Sequence, residues 1–373
     1  MSGLVSLLEA IANQERAGEE FVLATVVKVE GSAYRRPGAR MLISSMGQSE
    51  GTVSGGCLEQ DVIRKAFWLT SDGPTVRSYS TDEEGEASDT SYHFALGCDG
   101  KVHLLFERVT PDTQSDLVDI LKRVRADMQQ AVVATVIGAP DDSRVTIGER
   151  LILAHSGELK GGLRDDAIRP TVLADMKSVM ANGRSWVQKY RGPNGSIEVF
   201  IELVSPPQKL VVFGAGHDAQ PLVKFAKMLG WHVTVIDGRA TFAVPSRFPL
   251  ADEVRGIESH DSLLSTEELL DNAAVVIMTH SLEQDKNWLS LALRSRASYV
   301  GQLGPRYRTE RLLSGMDESN GSEVTREKLH YPVGLDLGGD TPESVAMAIV
   351  SEISAVLRGR SGGMLMHRSG AIH

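Results

Sequence analysis

After the Ser205-Pro206-Pro207-Gln208 break, short apolar runs alternate with stretches of helical periodicity. Residues 210–213 read as a buried strand. Residues 217–229 place Leu222, Val223, Ala226 and Leu229 on one helical face. Further strands are expected over 232–236, 273–278, 298–303 and 332–335. Thr341-Pro342 then opens a last helix, with Thr341 as N-cap and Pro342 in the first helical position. Strands alternating with helices predict an α/β, Rossmann-type parallel sheet with helices on both faces.

The first 205 residues differ and repeat themselves. Val22-Leu23-Ala24-Thr25-Val26-Val27 matches Val132-Val133-Ala134-Thr135-Val136-Ile137, an offset of 110. At that offset Gly38-Ala39-Arg40-Met41-Leu42-Ile43 matches Gly148-Glu149-Arg150-Leu151-Ile152-Leu153, and Gly47 matches Gly157. Residues 100–107 (GKVHLLFE) match 195–202 (GSIEVFIE) at an offset of 95, and Pro111 and Pro206 close the two copies. This predicts a duplicated α/β region: one unit over 1–110, a degenerate second copy over 111–205, and the Rossmann-type domain over 206–373. Each copy is expected to hold strand pairs, then one helix and a closing hairpin. Residues 1–20 show helical spacing without the basic start and apolar run of a signal peptide.

Composition narrows the classes. At 373 residues the chain is long enough for two or three domains of roughly 150 residues. Its two cysteines, Cys57 and Cys98, exclude a disulfide framework and an all-cysteine zinc site made by this chain alone. A formal charge of −10 argues against a general nucleic-acid binder. No apolar run approaches the roughly 18 residues of a membrane span. The expectation is a cytoplasmic protein with reduced thiols, no membrane contact and no nucleic-acid partner.

The repeat separates shared features from unshared ones. Arg40 recurs as Arg150, which marks it as structural before functional. Only the first copy has Arg35-Arg36-Pro37, Ser54-Gly55-Gly56-Cys57 and Gly97-Cys98-Asp99-Gly100. A strand over 51–54 is expected to run into Gly55 and Gly56, then a helix to Trp68. Two glycines let backbone come close to a ligand, and free amides at a helix start favour an anion. The same dipole lowers a thiol pKa, so Cys57 could ligate a soft metal, carry a transferable sulfur or attack an electrophile; the alternative is a small cysteine buried beside a turn. Cys98 is either reactive in its turn or packed there. Arg35, Arg36 and Arg40 suit a phosphate or carboxylate, or form a solvated loop. The acidic run 82–86 reads as solvated.

Gly214-Ala215-Gly216-His217-Asp218-Ala219 follows a strand and opens a helix, a permitted variant of the dinucleotide fingerprint. Asp237 lies 21 residues past Gly216, where a ribose-binding acid belongs. His217 and His280 are candidate acid/base or anion-binding groups, and 301–306 and 334–343 line the same sheet edge. On these residues alone, an NAD(P)-dependent oxidoreductase is one reading. Nucleophile-elbow, Walker A and HExxH patterns do not occur.

The run from Ala24 through Gly31-Ser32-Ala33-Tyr34-Arg35-Arg36-Pro37-Gly38-Ala39-Arg40-Met41 to Ser54-Gly55-Gly56-Cys57-Leu58-Glu59 resembles the signature of the XdhC/CoxI family, the xanthine dehydrogenase accessory proteins. Val212 to His217, Thr279-His280, 301–304 and 334–343 resemble that family's C-terminal domain. Where the resemblance implies Gly-Cys-Gly-Gly, this chain has Gly97-Cys98-Asp99-Gly100. It implies a chaperone rather than an enzyme. Such a protein binds molybdenum cofactor (molybdopterin), protects it, promotes oxo–sulfur exchange with a cysteine desulfurase and inserts it into an apo molybdenum hydroxylase. It would then use Cys57 as the metal or sulfur contact, Gly55 and Gly56 for amides, and Arg35, Arg36 and Arg40 for the anionic tail, with Cys98 as a second thiol. Gly214, Gly216, His217, Asp237 and His280 would hold the pterin phosphate or a nucleotide, NAD(P) included. The expected assembly is a homodimer.

Overall fold

The structure, a computed structural model, describes residues 3–80, 91–93, 100–257, 267–316 and 327–368. The acidic run 82–86 and Cys98 lie outside the described residues. The chain divides into two compact units, Gly3–Pro206 and one built from Pro207 onward.

The N-terminal unit starts with α1 (Gly3–Ala17), then β1 (Phe21–Gly31), β2 (Arg40–Ser44), β3 (Ser49–Gly51), α2 (Glu59–Leu69), β4 (Thr75–Ser80), β5 (Ser91–His93) and β6 (Gly100–Val109). It continues with α3 (Asp116–Asp127), β7 (Ala131–Gly138), β8 (Arg150–Ala154), β9 (Leu159–Gly161), α4 (Arg169–Asn182), β10 (Trp186–Gly192) and β11 (Gly195–Val204). The first sheet has the order β3-β2-β1-β6-β4-β5 and the second β10-β11-β7-β8-β9. Read from β3 and from β9, the orders are the same except for β5. The register also recurs: Thr25 faces Arg40 in β1–β2, and Thr135 faces Arg150 in β7–β8. A bulge falls at Val27 in β1 and at the equivalent Ile137 in β7.

Alternation along these strands assigns two faces. Val22, Ala24 and Val26 turn to α2, which answers with Val62, Ala66 and Leu69. Val132, Ala134 and Val136 turn to α4, where Val172, Met176 and Val179 meet them. The other faces share a core: Phe21, Leu23 and Leu42 pack with Ala131, Val133 and Ile152, along with Leu7, Leu8 and Ile11 of α1 and Leu117, Leu121 and Val124 of α3. Beside it, the bulged Val27 and Ile137 form a small cluster with Leu105 and Phe200.

Two ion pairs cross this seam reciprocally. Arg40 Nη1 and Nη2 donate to Glu202 at 2.9 and 2.5 Å, and Arg150 Nη1 and Nη2 donate to Glu107 at 2.6 and 2.5 Å. The Arg40 and Glu202 side chains are only 8% and 9% exposed. Glu107 and Glu202 end the two matched blocks 100–107 and 195–202, so each arginine takes the acid of the other copy. This is the pattern of an isologous two-fold interface, here within one chain.

The C-terminal unit contains β12 (Lys209–Phe213), α5 (Ala219–Met228), β13 (His232–Asp237), β14 (Glu253–Gly256), α6 (Glu267–Leu270), β15 (Ala274–Ile277), α7 (Leu282–Arg294), β16 (Tyr299–Gln302), α8 (Arg306–Ser314), β17 (Leu329–His330) and α9 (Pro342–Val356). Its sheet order β14-β13-β12-β15-β16-β17, all parallel, is the doubly wound arrangement. Leu210 and Val212 pack under α5 and α9, while Val211 and Phe213 pack under α7. Burial on both faces is why these strands read as unbroken apolar runs.

Some boundaries move. The sixth strand is Leu329–His330 rather than 332–335, since Pro332 has no N–H to give a ladder. β14 is an added edge strand whose half-buried Glu253-Val254-Arg255-Gly256 carries no strong apolar signal. The segment 51–54 is not a strand: β3 ends at Gly51, whose φ of +86° turns the chain against the Arg40 carbonyl, and a side chain there would collide with it.

Removing one member of a buried pair strands the other charge. Glu202→Ala is expected to lower the unfolding free energy by about 3–5 kcal/mol, and the double change Arg40→Met with Glu202→Leu by much less. Urea titration decides it. A loss under about 1 kcal/mol for the single change would place the pair with weak surface bridges.

Candidate functional site

In the N-terminal unit the chain leaves β3, passes buried Val53 and Ser54, and exposes Gly55, Gly56 and Cys57 before buried Leu58 starts α2. Cys57 is a free, exposed thiol. Three amides that could have met an anion are already taken: Gly56, Cys57 and Leu58 N–H all point at Ser54 Oγ, at 3.3, 3.1 and 3.1 Å. Ser54 in turn donates its hydroxyl to Glu59 Oε2 at 2.5 Å, and Glu59 Oε1 accepts from Ser54 N at 2.8 Å and Thr52 Oγ1 at 2.5 Å. Of the two glycine amides expected to meet a ligand, that of Gly56 is engaged by Ser54, and the turn also presents the Cys57 thiol.

The second copy makes the same turn without the chemistry. Leu58 and Ile168 precede their helices with φ, ψ of −95°, −20° and −91°, −23°. Ala167 occupies the equivalent of Cys57, and buried Asp165 accepts from its N–H at 2.9 Å. The thiol is thus an addition to a fold that does not need it.

Tyr34 lies over this turn, its Cγ 3.4 Å from where a β-carbon on Gly55 would stand, and it remains 74% exposed. The Arg35 guanidinium sits 5.9 Å from the Tyr34 ring centroid, and Arg36 is exposed beside it. The fold brings Arg35, Tyr34 and the Cys57 turn together, but not Arg40, which is committed to Glu202. Tyr34, Ser54 and Glu59 escaped sequence reasoning. The acid five positions after the serine was the available sign, outside the usual spacing of three.

In the C-terminal unit, Gly214, with φ +117°, turns the loop tightly against Met278 and Thr279 backbone. A side chain on Gly216 would strike the Asp218 carboxylate, so the glycine leaves room for this chain's own acid beside the loop. Asp218 Oδ1 is buried and unpartnered, and its Oδ2 is 4.0 Å from His280 Nε2. His217 is exposed. Asp237 is fully buried and saturated: Oδ2 accepts from Ala215 N and Arg239 Nη2, both at 2.7 Å, and Oδ1 from Arg239 N and Nε at 2.8 and 2.9 Å. Burial opposes its ionisation, but the Arg239 and amide bonds outweigh that and hold it below the usual carboxylate range. A ribose diol would find no free acceptor there. Further along the edge, buried Asp285 receives Thr279 Oγ1, Gln302 Nε2 at 3.1 Å and Arg308 Nη2 at 2.6 Å, a bracing network between the ends of β15 and β16. Among the described residues, no three His, Cys, Asp or Glu side chains gather as a metal site. None of the described helices is long and apolar enough to cross a membrane.

Residues 14–80 match the model of the XdhC and CoxI family, and residues 210–353 match that of the XdhC Rossmann domain. A protein of Bacillus subtilis named as a probable xanthine dehydrogenase subunit is 30% identical over 355 residues, spanning 95% of this chain and 97% of its own. The chain belongs to the XdhC and CoxI family. The molybdenum cofactor insertion chaperone PaoD of Escherichia coli is 22% identical over 91% of this chain and 84% of its own length. The crystal structure of a xanthine dehydrogenase from Bacillus halodurans superposes with a TM-score of 0.73 at 28% identity, covering 96% of this chain and 97% of that one. The likeness to these XdhC-type proteins thus spans both units.

Burial opposes ionisation of Glu59, and hydrogen bonds from Ser54 and Thr52 overcome it, leaving the acid below its ordinary value. A depressed folded-state value means that its contribution is complete above about pH 4.5 and fades as pH falls through the lower folded value. The wild type is therefore expected to be more stable than Glu59→Gln by about 1 kcal/mol or more at neutrality, and to lose that advantage only in acid. Denaturant unfolding of both proteins at each pH checks this. A difference that stays flat from about pH 3 to 7 would remove Glu59 as the keystone of the turn.

Proposed function

We propose that this chain carries molybdenum cofactor as cargo, protects it, supports its sulfuration and inserts it into an apo molybdenum hydroxylase of the xanthine dehydrogenase type. The observation that carries the reading is Cys57, an exposed thiol on a turn held by bonds from the Gly56, Cys57 and Leu58 amides to Ser54. The inert twin turn at Ala167 supports a dedicated role for it. Likeness over most of its length to an insertion chaperone supports the choice of cargo.

The cargo's chemistry fits the residues around that thiol. A molybdenum centre with sulfur ligands is a soft partner for a thiolate. In this reading Arg35 and Arg36 pair with the cofactor's phosphate. The exposed Tyr34 ring offers a flat apolar face beside them. In this proposal Cys57 ligates the molybdenum, or holds the incoming sulfur, while the rigid turn keeps the thiol facing outward. A cysteine desulfurase supplies the sulfur, and assembly as a homodimer belongs to the same proposal. Hydride transfer from NAD does not, because Asp237 keeps no acceptor for a free ribose diol.

The test is reconstitution of an apo molybdenum hydroxylase with cofactor-loaded wild type or Cys57→Ala. The exposed position predicts an unchanged melting temperature for the variant. Cofactor retention and activation are expected to fall about tenfold or more. Equal activation by both proteins would remove Cys57 from the function.

A further inference from the structure

The end of β13 carries a group of charges that cargo transfer does not use. Arg239 donates three N–H groups to Asp237 and lays its guanidinium 3.9 Å from the Phe242 ring centroid. The Arg247 guanidinium sits 4.5 Å from the same centroid. Arg247 Nη1 donates to the Phe242 carbonyl at 3.4 Å, while its Nη2 is buried without a partner. Two guanidinium groups therefore lie against one ring, and the Asp237 carboxylate is spent on Arg239 alone.

We propose that this edge is a phosphate seat, and that the C-terminal unit binds a nucleotide whose ribose carries a 2′-phosphate in preference to one with a free diol. The bond from Ala215 N to Asp237 places the group at the glycine loop, where the ribose of a nucleotide lies in this fold. With two N–H groups on each Asp237 oxygen, ribose hydroxyls have nothing to donate to. A phosphate monoester brings close to two negative charges and three acceptor oxygens. It matches the remaining Nη1 of Arg239 and the second guanidinium, that of Arg247, both lying against the Phe242 ring. At the other end of the loop, the Asp218 carboxylate over Gly216 opposes a pyrophosphate. Affinity is then concentrated at the 2′-phosphate, and adenosine 2′-phosphate alone should retain most of it.

Calorimetric titration of the full chain with NADP+, NAD+, adenosine 2′-phosphate and inorganic phosphate tests this without reference to molybdenum cofactor. NADP+ and adenosine 2′-phosphate are expected to bind at least about tenfold more tightly than NAD+ or phosphate. Arg247→Ala should abolish that preference, with circular dichroism and melting temperature showing an intact fold. Arg239→Ala frees Asp237 and should turn the preference toward NAD+. NAD+ binding as tightly as NADP+, phosphate binding as tightly as adenosine 2′-phosphate, an unchanged preference in Arg247→Ala, or no binding by any of the four would each overturn the proposal.

Discussion

A β-sheet has two faces, and one helix covers only one of them. In the N-terminal unit α2 closes one face of the first sheet and α4 one face of the second. The remaining faces have only each other and the helices α1 and α3 to pack against. The rest of the unit follows from that seam. Val27 and Ile137 bulge into it, Leu105 and Phe200 fill it, and the two arginines cross it to find their acids. Burying a guanidinium and a carboxylate is tolerable because each pair is bidentate and each arginine also reaches a glycine carbonyl, Gly38 or Gly148.

The C-terminal unit meets the same demand differently, by covering both faces of one parallel sheet with its own helices. There polar side chains gather at the strand ends, and the buried acids Asp237 and Asp285 are filled by internal partners. Asp237 is filled by Arg239, Asp285 by Thr279, Gln302 and Arg308, and the glycine loop is overlaid by Asp218. A fingerprint of glycines thus marks close backbone approach without stating what approaches. In this chain one of the approaching groups is internal.

Much of this was legible in the sequence. Two-faced apolar strands announced the parallel sheet, and blocks repeating in the same order, at offsets of 110 and then 95, correspond to the shared strand order of the two N-terminal sheets. The recurrence of Arg40 as Arg150 correctly hinted at a structural duty. The pairing itself was hidden, because Glu107 and Glu202 recur within their own copies while the bonds run between copies, a relation no single offset expresses. Cys57 stood out by its absence from the second copy. Ser54 and Glu59, which hold its turn, did not, since a hydroxyl that accepts three amides is a property of the folded loop rather than of spacing. Asp237 stands at the expected distance from Gly216 but with its lone pairs already taken, and only the folded position of Arg239 reveals that.

The twin turns have a consequence for encounters with other proteins. A body with near-equivalent halves ordinarily offers the same approach twice, and a partner can dock either way round. Here the exposed thiol stands on one half and Ala167 on the other. Near-symmetry of the scaffold and asymmetry of the chemistry together give the unit a polarity, so that of two similar docking poses only one brings a partner to the thiol.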